Sequence, residues 1–167
     1  MRPVVWKPPV EPSPAEQAVI KAVRRAKLFV FLREYRYELF DEVFQSELAQ
    51  AYVGSPRGQP PVPPAQLALA TILQAYARVS DDEVIEARVM DRRWQLVLDC
   101  LGAEDPPFSK GTLAGFRKRL IGHDLDRRLI ERTVVLTART KGVRGAGAAR
   151  GAGLLSAVGR GPGGGHL

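Results

Sequence analysis

From Pro64 the chain reads Pro-Ala-Gln-Leu-Ala-Leu-Ala-Thr-Ile-Leu-Gln-Ala-Tyr-Ala, and Leu67, Leu69, Ala70, Ile72, Leu73 and Tyr76 make it apolar nearly all round. A helix of that kind has no face suited to water, so this segment is expected to be the most buried helix of its domain. The residues just before it are of a different kind. Gly54-Ser-Pro-Arg-Gly-Gln-Pro-Pro-Val-Pro-Pro64 cannot hold a helix or a central strand, because proline removes donors and fixes φ. It reads as a linker or an ordered arm on the surface.

Helix signals fill most of the remaining chain. Ser13-Pro14-Ala15-Glu16 combines a Ser N-cap, a Pro at the first helical position and the Glu of a capping box. Val19, Ala22, Val23, Ala26, Phe29 and Val30 recur at helical spacing and predict one helix running to about Tyr35. A second, over about 39–52, is expected to bury Leu39, Val43, Phe44 and Leu48. Ser80-Asp81-Asp82-Glu83 is another capping box, before a helix carrying Val84, Ile85, Ala87 and Val89. Trp94, Leu96, Val97, Leu98 and Leu101 form the next apolar cluster, stopped by Gly102 and Pro106-Pro107. Ser109 caps a short helix, the Gly122-His123-Asp124 break follows, and Asp124 is expected to cap a last helix to about Thr140 through Leu125, Leu129, Thr133 and Leu136. With no alternating strand pattern of useful length, the fold class is all-α: a compact multi-helix domain over 13–141 with helix-turn-helix-like elements. Residues 1–12, proline-rich around Trp6, are expected to be a disordered lead. Residues 142–167 hold ten Gly and three Arg with no acidic residue, so they cannot offset their ordering entropy by burial and are expected to be disordered.

Charge narrows the function. The 167 residues carry a formal net charge of +7, which favours an acidic partner, with nucleic acid ahead of a membrane surface. The most informative stretch is 108–120, Phe-Ser-Lys-Gly-Thr-Leu-Ala-Gly-Phe-Arg-Lys-Arg-Leu. Leu113, Phe116 and Leu120 mark an inward face, and Lys110, Arg117, Lys118 and Arg119 crowd the remainder with positive charge. Arg127, Arg128 and Arg132 on the next helix add to the same field. These seven residues are the candidate DNA contacts, mostly to phosphate. Gly111 and Gly115 are expected to let that helix approach another backbone closely. Replacing Arg117 and Arg119 by Ala is expected to weaken DNA binding and leave the domain folded.

Other candidates carry less. The 64–90 pair of helices could form a helix-turn-helix, but its second helix opens on Asp81, Asp82 and Glu83, which would repel phosphate where a recognition helix enters the groove. Trp94, set among Leu96, Val97 and Leu98, reads as core rather than as a base-stacking wedge. Cys100, the single cysteine, reads as a small buried hydrophobe and indicates a reducing compartment. His123 and His166 supply neither metal-ligand spacing nor a base–nucleophile pair, so no catalytic residue, metal site or cofactor is assigned. No long apolar run or charged-then-apolar leader is present, and the expected location is the cytoplasm, with no membrane span.

Several segments in a fixed order carry a resemblance. Glu38-Leu39-Phe40-Asp41 with Phe44 and Leu48, Gly58-Gln-Pro-Pro-Val-Pro-Pro-Ala-Gln-Leu, Leu73-Gln74-Ala75-Tyr76, Arg93-Trp94-Gln95-Leu96-Val97-Leu98-Asp99 and Pro107-Phe108-Ser109-Lys-Gly-Thr-Leu with Phe116-Arg117 follow one another. Over about residues 13–141 the chain resembles the amino-terminal InsH-type domain of bacterial insertion-sequence transposases of the DDE class. The resemblance implies an all-helical module that binds the terminal inverted repeats of its element. It further implies attachment to a ribonuclease-H-like domain whose acidic residues and divalent metal cut and join DNA. No catalytic carboxylate of that second domain can be placed on this chain. The likeness departs near Gly142, and a one-frame shift in GC-rich codons would turn the family's continuation into a run like Gly153–Leu167. Residues 142–167 are therefore expected to be a frameshifted tail and the chain a truncated transposase, not itself an enzyme. Its expected partners are DNA and either the full-length transposase or a second copy. The rival readings are a stand-alone DNA-binding regulator and a nonfunctional relic.

Overall fold

A computed structural model describes residues 2–52 and 61–140. Eight α-helices make up the regular structure of these residues, with no strand among them: α1 (Pro14–Ala22), α2 (Leu28–Leu39), α3 (Glu42–Ala49), α4 (Pro64–Ala77), α5 (Asp81–Met90), α6 (Arg92–Leu98), α7 (Lys110–Gly122) and α8 (Leu125–Thr140). The expected all-α class holds. The 142–167 stretch and most of the proline-rich linker lie outside the described residues.

The apolar segment becomes the hub. Every α4 residue from Pro64 to Leu73 is buried, and α3, α5, α6 and α7 pack around it. Its two polar side chains in that run are satisfied: Thr71 Oγ1 donates to the Leu67 carbonyl at 2.9 Å and Gln66 Nε2 to the Leu98 carbonyl at 2.7 Å. One contiguous core joins α4 to Phe29, Phe31 and Leu32 of α2, Trp94 of α6, and Leu113, Phe116 and Leu120 of α7. Trp94 is core: its ring centroid lies 6.2 Å from that of Phe29.

Both capping boxes form as the sequence predicts, at Ser13/Glu16 and Ser80/Glu83. Four local expectations need correction. The single helix expected from Ser13 to Tyr35 is two, because Val23 turns extended and Ala26 takes a left-handed φ of 54°. The reason is tertiary. Arg33 Nε meets Glu16 Oε2 at 2.6 Å in the buried interior. Seventeen residues apart on one straight helix, they would be separated by about 25 Å. Next, the element expected over 39–52 is the shorter α3; Leu39 ends α2, Asp41 caps α3 by accepting from Phe44 N–H, and Val43 is 68 % exposed because Phe44 and Leu48 take the inward face. The helix through Trp94 stops at Leu98, where Asp99 takes a left-handed φ of 57°, short of Leu101 and of the stop expected at Gly102 and Pro106-Pro107. Finally, Asp124 has a φ of 55°, not the extended backbone of an N-cap, and acts as a turn residue after α7.

Residues 2–12 form no helix or strand, as their prolines dictate, yet they are tied down rather than loose. Trp6 N–H donates to Gln45 Oε1 at 2.7 Å, and Gln45 Nε2 donates back to the Trp6 carbonyl at 2.9 Å. Arg36 and Arg33 draw the next part of the lead inward by donating to the carbonyls of Pro9 and Val10. Arg36 is only 2 % exposed and also donates to the carbonyls of Leu96 and Val97, at 3.1 and 2.9 Å. Burial first, and the neighbouring Arg33 second, push its guanidinium down to about 10, which leaves it charged at neutral pH. A buried cation needs acceptors, and the carbonyls of the lead supply one of them.

Candidate nucleic-acid interface

Ser109 opens α7 by accepting from Thr112 N–H, and Leu113, Phe116 and Leu120 point into the core as their spacing predicts. The rest of α7 faces outward or towards α4, α5 and α8. α8 follows after a two-residue turn, its inward stripe being Leu129, Thr133 and Leu136. The two helices pack together, so all seven candidate cations lie on one pair of adjacent elements.

Their individual surroundings divide them. Arg117 is half-buried and makes a two-pronged contact with Asp81 at the start of α5: Nη1 to Oδ1 at 2.5 Å and Nη2 to Oδ2 at 2.6 Å. Arg117 Nη1 also reaches Gln74 Oε1 of α4 at 2.9 Å, while Gln74 Nε2 donates to Asp81 Oδ1. The Arg117 hydrogen bond, opposed by burial and aided by Gln74, holds the Asp81 carboxyl below its ordinary range. Lys110 pairs with Asp82 at 2.8 Å in solvent, which raises the ammonium. Arg132 ends α2 by donating to the Leu39 carbonyl at 3.0 Å and 2.9 Å, pairs with Asp41 at 3.1 Å, and lies over the Phe44 ring. Burial alone would raise Asp41, but the Phe44 N–H and Arg132 outweigh it and the carboxyl sits low. Arg128 pairs with Glu47 of α3 at 3.1 Å, and Arg139 with Glu38. Arg119 stands exposed with its guanidinium 4.5 Å from the Tyr52 ring centroid. Lys118 and Arg127 are exposed and have no acidic side chain within ion-pair distance among the described residues.

Two expectations about this face are corrected. A Cβ added at Gly111 or Gly115 would meet only side-chain atoms, Ser109 Oγ at 4.0 Å and Arg119 Nη1 at 3.5 Å. Neither glycine serves a close backbone approach. The acidic start of α5 does more than repel phosphate, since Asp81 is the anchor that holds α7. Sequence reading also passed over Lys21, Arg24, Arg25 and Lys27 at the α1–α2 corner, all exposed. The available signal was four cations within seven residues.

Among the described residues no group of three or more His, Cys, Asp or Glu side chains is placed to hold a metal ion. No described helix is long and apolar enough to cross a membrane. Cys100 is buried, and burial followed by the nearby Asp99 pushes its thiol up to about 11.

A model of the transposase domain family (DUF772) matches residues 21–119. The chain belongs to this transposase-domain family. The match runs from the last turn of α1 to Arg119 on α7, so it includes Lys110, Arg117, Lys118 and Arg119 and stops before Arg127, Arg128 and Arg132. No curated protein and no solved structure matches the chain.

Proposed function

We propose that this transposase domain binds duplex DNA, with the terminal inverted repeats of its element as the target. On this reading the outer face of α7 and the first turns of α8 provide the contact surface. Lys118, Arg119 and Arg127 are its readiest phosphate contacts, because no internal carboxylate competes for them. Lys110 and Arg128 hold acids in solvent, where such pairs are worth little and can be exchanged for a phosphate. Arg117 and Arg132 shape the surface by fixing α7 to α5 and α8 to the α2–α3 corner. The observation that carries this reading is the division of α7 into an anchored apolar stripe and an exposed cationic face, within a chain of a transposase-domain family.

Cutting and joining of DNA belongs, on the same reading, to a separate metal-dependent domain, and this chain alone does not perform it. Six acids of the described region serve as caps or partners: Asp41, Glu83 and Asp91 cap helices, and Asp81, Asp82 and Glu47 hold cations.

The test is a titration of the full chain against a labelled duplex carrying the inverted repeat that flanks its gene, beside a scrambled duplex, at several salt concentrations. Tighter binding to the repeat, with an affinity that falls steeply with salt and is weakened by Lys118→Gln, Arg119→Gln and Arg127→Gln together, supports the reading. Indifference to duplex DNA at low salt overturns it. Nicking or joining of the duplex with magnesium overturns the non-catalytic part.

A further inference from the structure

We propose that the α1–α2 corner is a second duplex-DNA phosphate surface, formed by Lys21, Arg24 and Arg25 and separate from the α7–α8 face. The proposal rests on the reading of the domain as a DNA binder and adds a location that reading does not contain.

The cations of the two surfaces are partnered very differently. Lys110, Arg117, Arg128, Arg132 and Arg139 on α7 and α8 each hold an acidic side chain, so much of that face is internally neutralised. The corner is the opposite. Lys21, Arg24 and Arg25 are exposed, and none has a carboxylate within ion-pair distance among the described residues. The acids nearest in sequence do not compensate. Glu16 is buried against Arg33, and Glu34, six residues beyond the start of α2, pairs with none of the corner cations. Glu104 and Asp105, three and four residues beyond the Leu101 that packs beside Val19 and Val23, pair with none of the corner cations. The fourth cation, Lys27, donates from Nζ to the Val23 carbonyl at 3.1 Å and so adds charge while bracing the turn.

The corner is also stiff. Val19 and Val23 are buried with Leu96 on one side, Leu28 and Phe29 in the main core on the other, and Ala26 is fixed at a φ of 54° between them. Three cations carried on an immobilised bend lose less freedom on meeting phosphates than three on a loose tail. The helix that leaves the corner adds to the field. α2 has twelve residues, no side-chain cap and no acidic residue in its first turn, so the positive end of its dipole is uncompensated. Finally, α1 packs on α6, whereas α7 packs on α4, α5 and α8. α2 meets α8 at its carboxyl end, where Arg132 and Arg139 reach Leu39 and Glu38. Most of the α2 helix, about 15 Å, therefore separates that contact from the corner. The domain thus presents two positive surfaces, an arrangement suited to a bent duplex or to two segments of DNA.

The test compares the full chain with Lys21→Gln/Arg24→Gln/Arg25→Gln, all three solvent-exposed, with thermal melting as the check that each is folded. Losing three phosphate contacts should make the slope of log affinity against log salt shallower by about 2.7. Between 50 and 200 mM salt that corresponds to a loss of affinity about 40-fold smaller than the unsubstituted chain suffers. The same shallowing should appear in the background of the Lys118/Arg119/Arg127 variant, because the two surfaces act independently. If the unsubstituted chain binds duplex DNA and the corner variant keeps both its affinity and its slope, the corner proposal is overturned and the α7–α8 reading stands. If the unsubstituted chain binds no duplex at all, both are overturned. A defect of the corner variant seen only with phosphatidylserine vesicles, and not with duplex, also overturns the proposal and assigns the corner to a membrane surface.

Discussion

Arg117 offers the sharpest test of how this domain is built, because sequence and structure give it different work. As an outward cation it should be dispensable to the fold. As the partner of Asp81 it ties α7 to α5 and, through Gln74, to α4. The pair is neither fully buried nor open: the side chains are 17 % and 22 % exposed. A two-pronged Arg–carboxylate contact in that setting lies between the weak exposed pairs and the strong desolvated ones. A double-mutant cycle of Arg117→Ala and Asp81→Ala, followed by urea unfolding, should therefore give a coupling energy of about 1–2 kcal/mol. Acid adds an independent reading. The folded-state Asp81 carboxyl is depressed, first by the Arg117 hydrogen bond, so the stability it contributes is complete above the unfolded value of about 4 and is lost as pH falls through the lower folded value. In Arg117→Ala that part of the acid sensitivity should shrink. A coupling near zero together with an unchanged acid profile would refute the anchoring role and return Arg117 to the cations available for DNA.

Three further outcomes follow from packing and burial. Phe116→Ala, at a ring 2 % exposed, should cost about 3–5 kcal/mol in chemical denaturation, whereas a loss under 1 kcal/mol would mean the ring is not core. Arg36→Ala should destabilise by about 3–5 kcal/mol and open residues 2–12 to limited proteolysis, since it strips donors from the carbonyls of Pro9, Leu96 and Val97; an unchanged cleavage pattern would contradict the docking of that segment. Cys100, with its thiol pushed up to about 11, should resist a colorimetric disulfide reagent at pH 8 while folded and react promptly in denaturant; prompt reaction of the native chain would show that the site is open.

Much of the fold was legible because local rules carry it. The capping boxes at Ser13 and Ser80 and the all-round apolarity of 64–76 each act within one helix or its ends, and appear where the sequence places them. The missed features are of another sort. Apolar spacing runs unbroken from Val19 to Val30 because both α1 and α2 offer apolar residues, so nothing local reveals the corner at Ala26. The candidate interface was legible as a set of positions and illegible as a set of free charges. Lys118 and Arg127 stand open, but the partners of Arg117, Arg128 and Arg132 come from residues 36, 81 and 91 positions away.

The sequence by itself determined the helices and the inward stripe of α7, because capping and the 3.6-residue period are properties of neighbours along the chain. Tertiary structure alone decided which cations face solvent, where the α1–α2 bend falls and that residues 2–12 are docked. Those outcomes depend on which donors and acceptors meet across the fold, and the desolvation of a charge such as Arg36 or Arg117 is settled only when distant elements close around it.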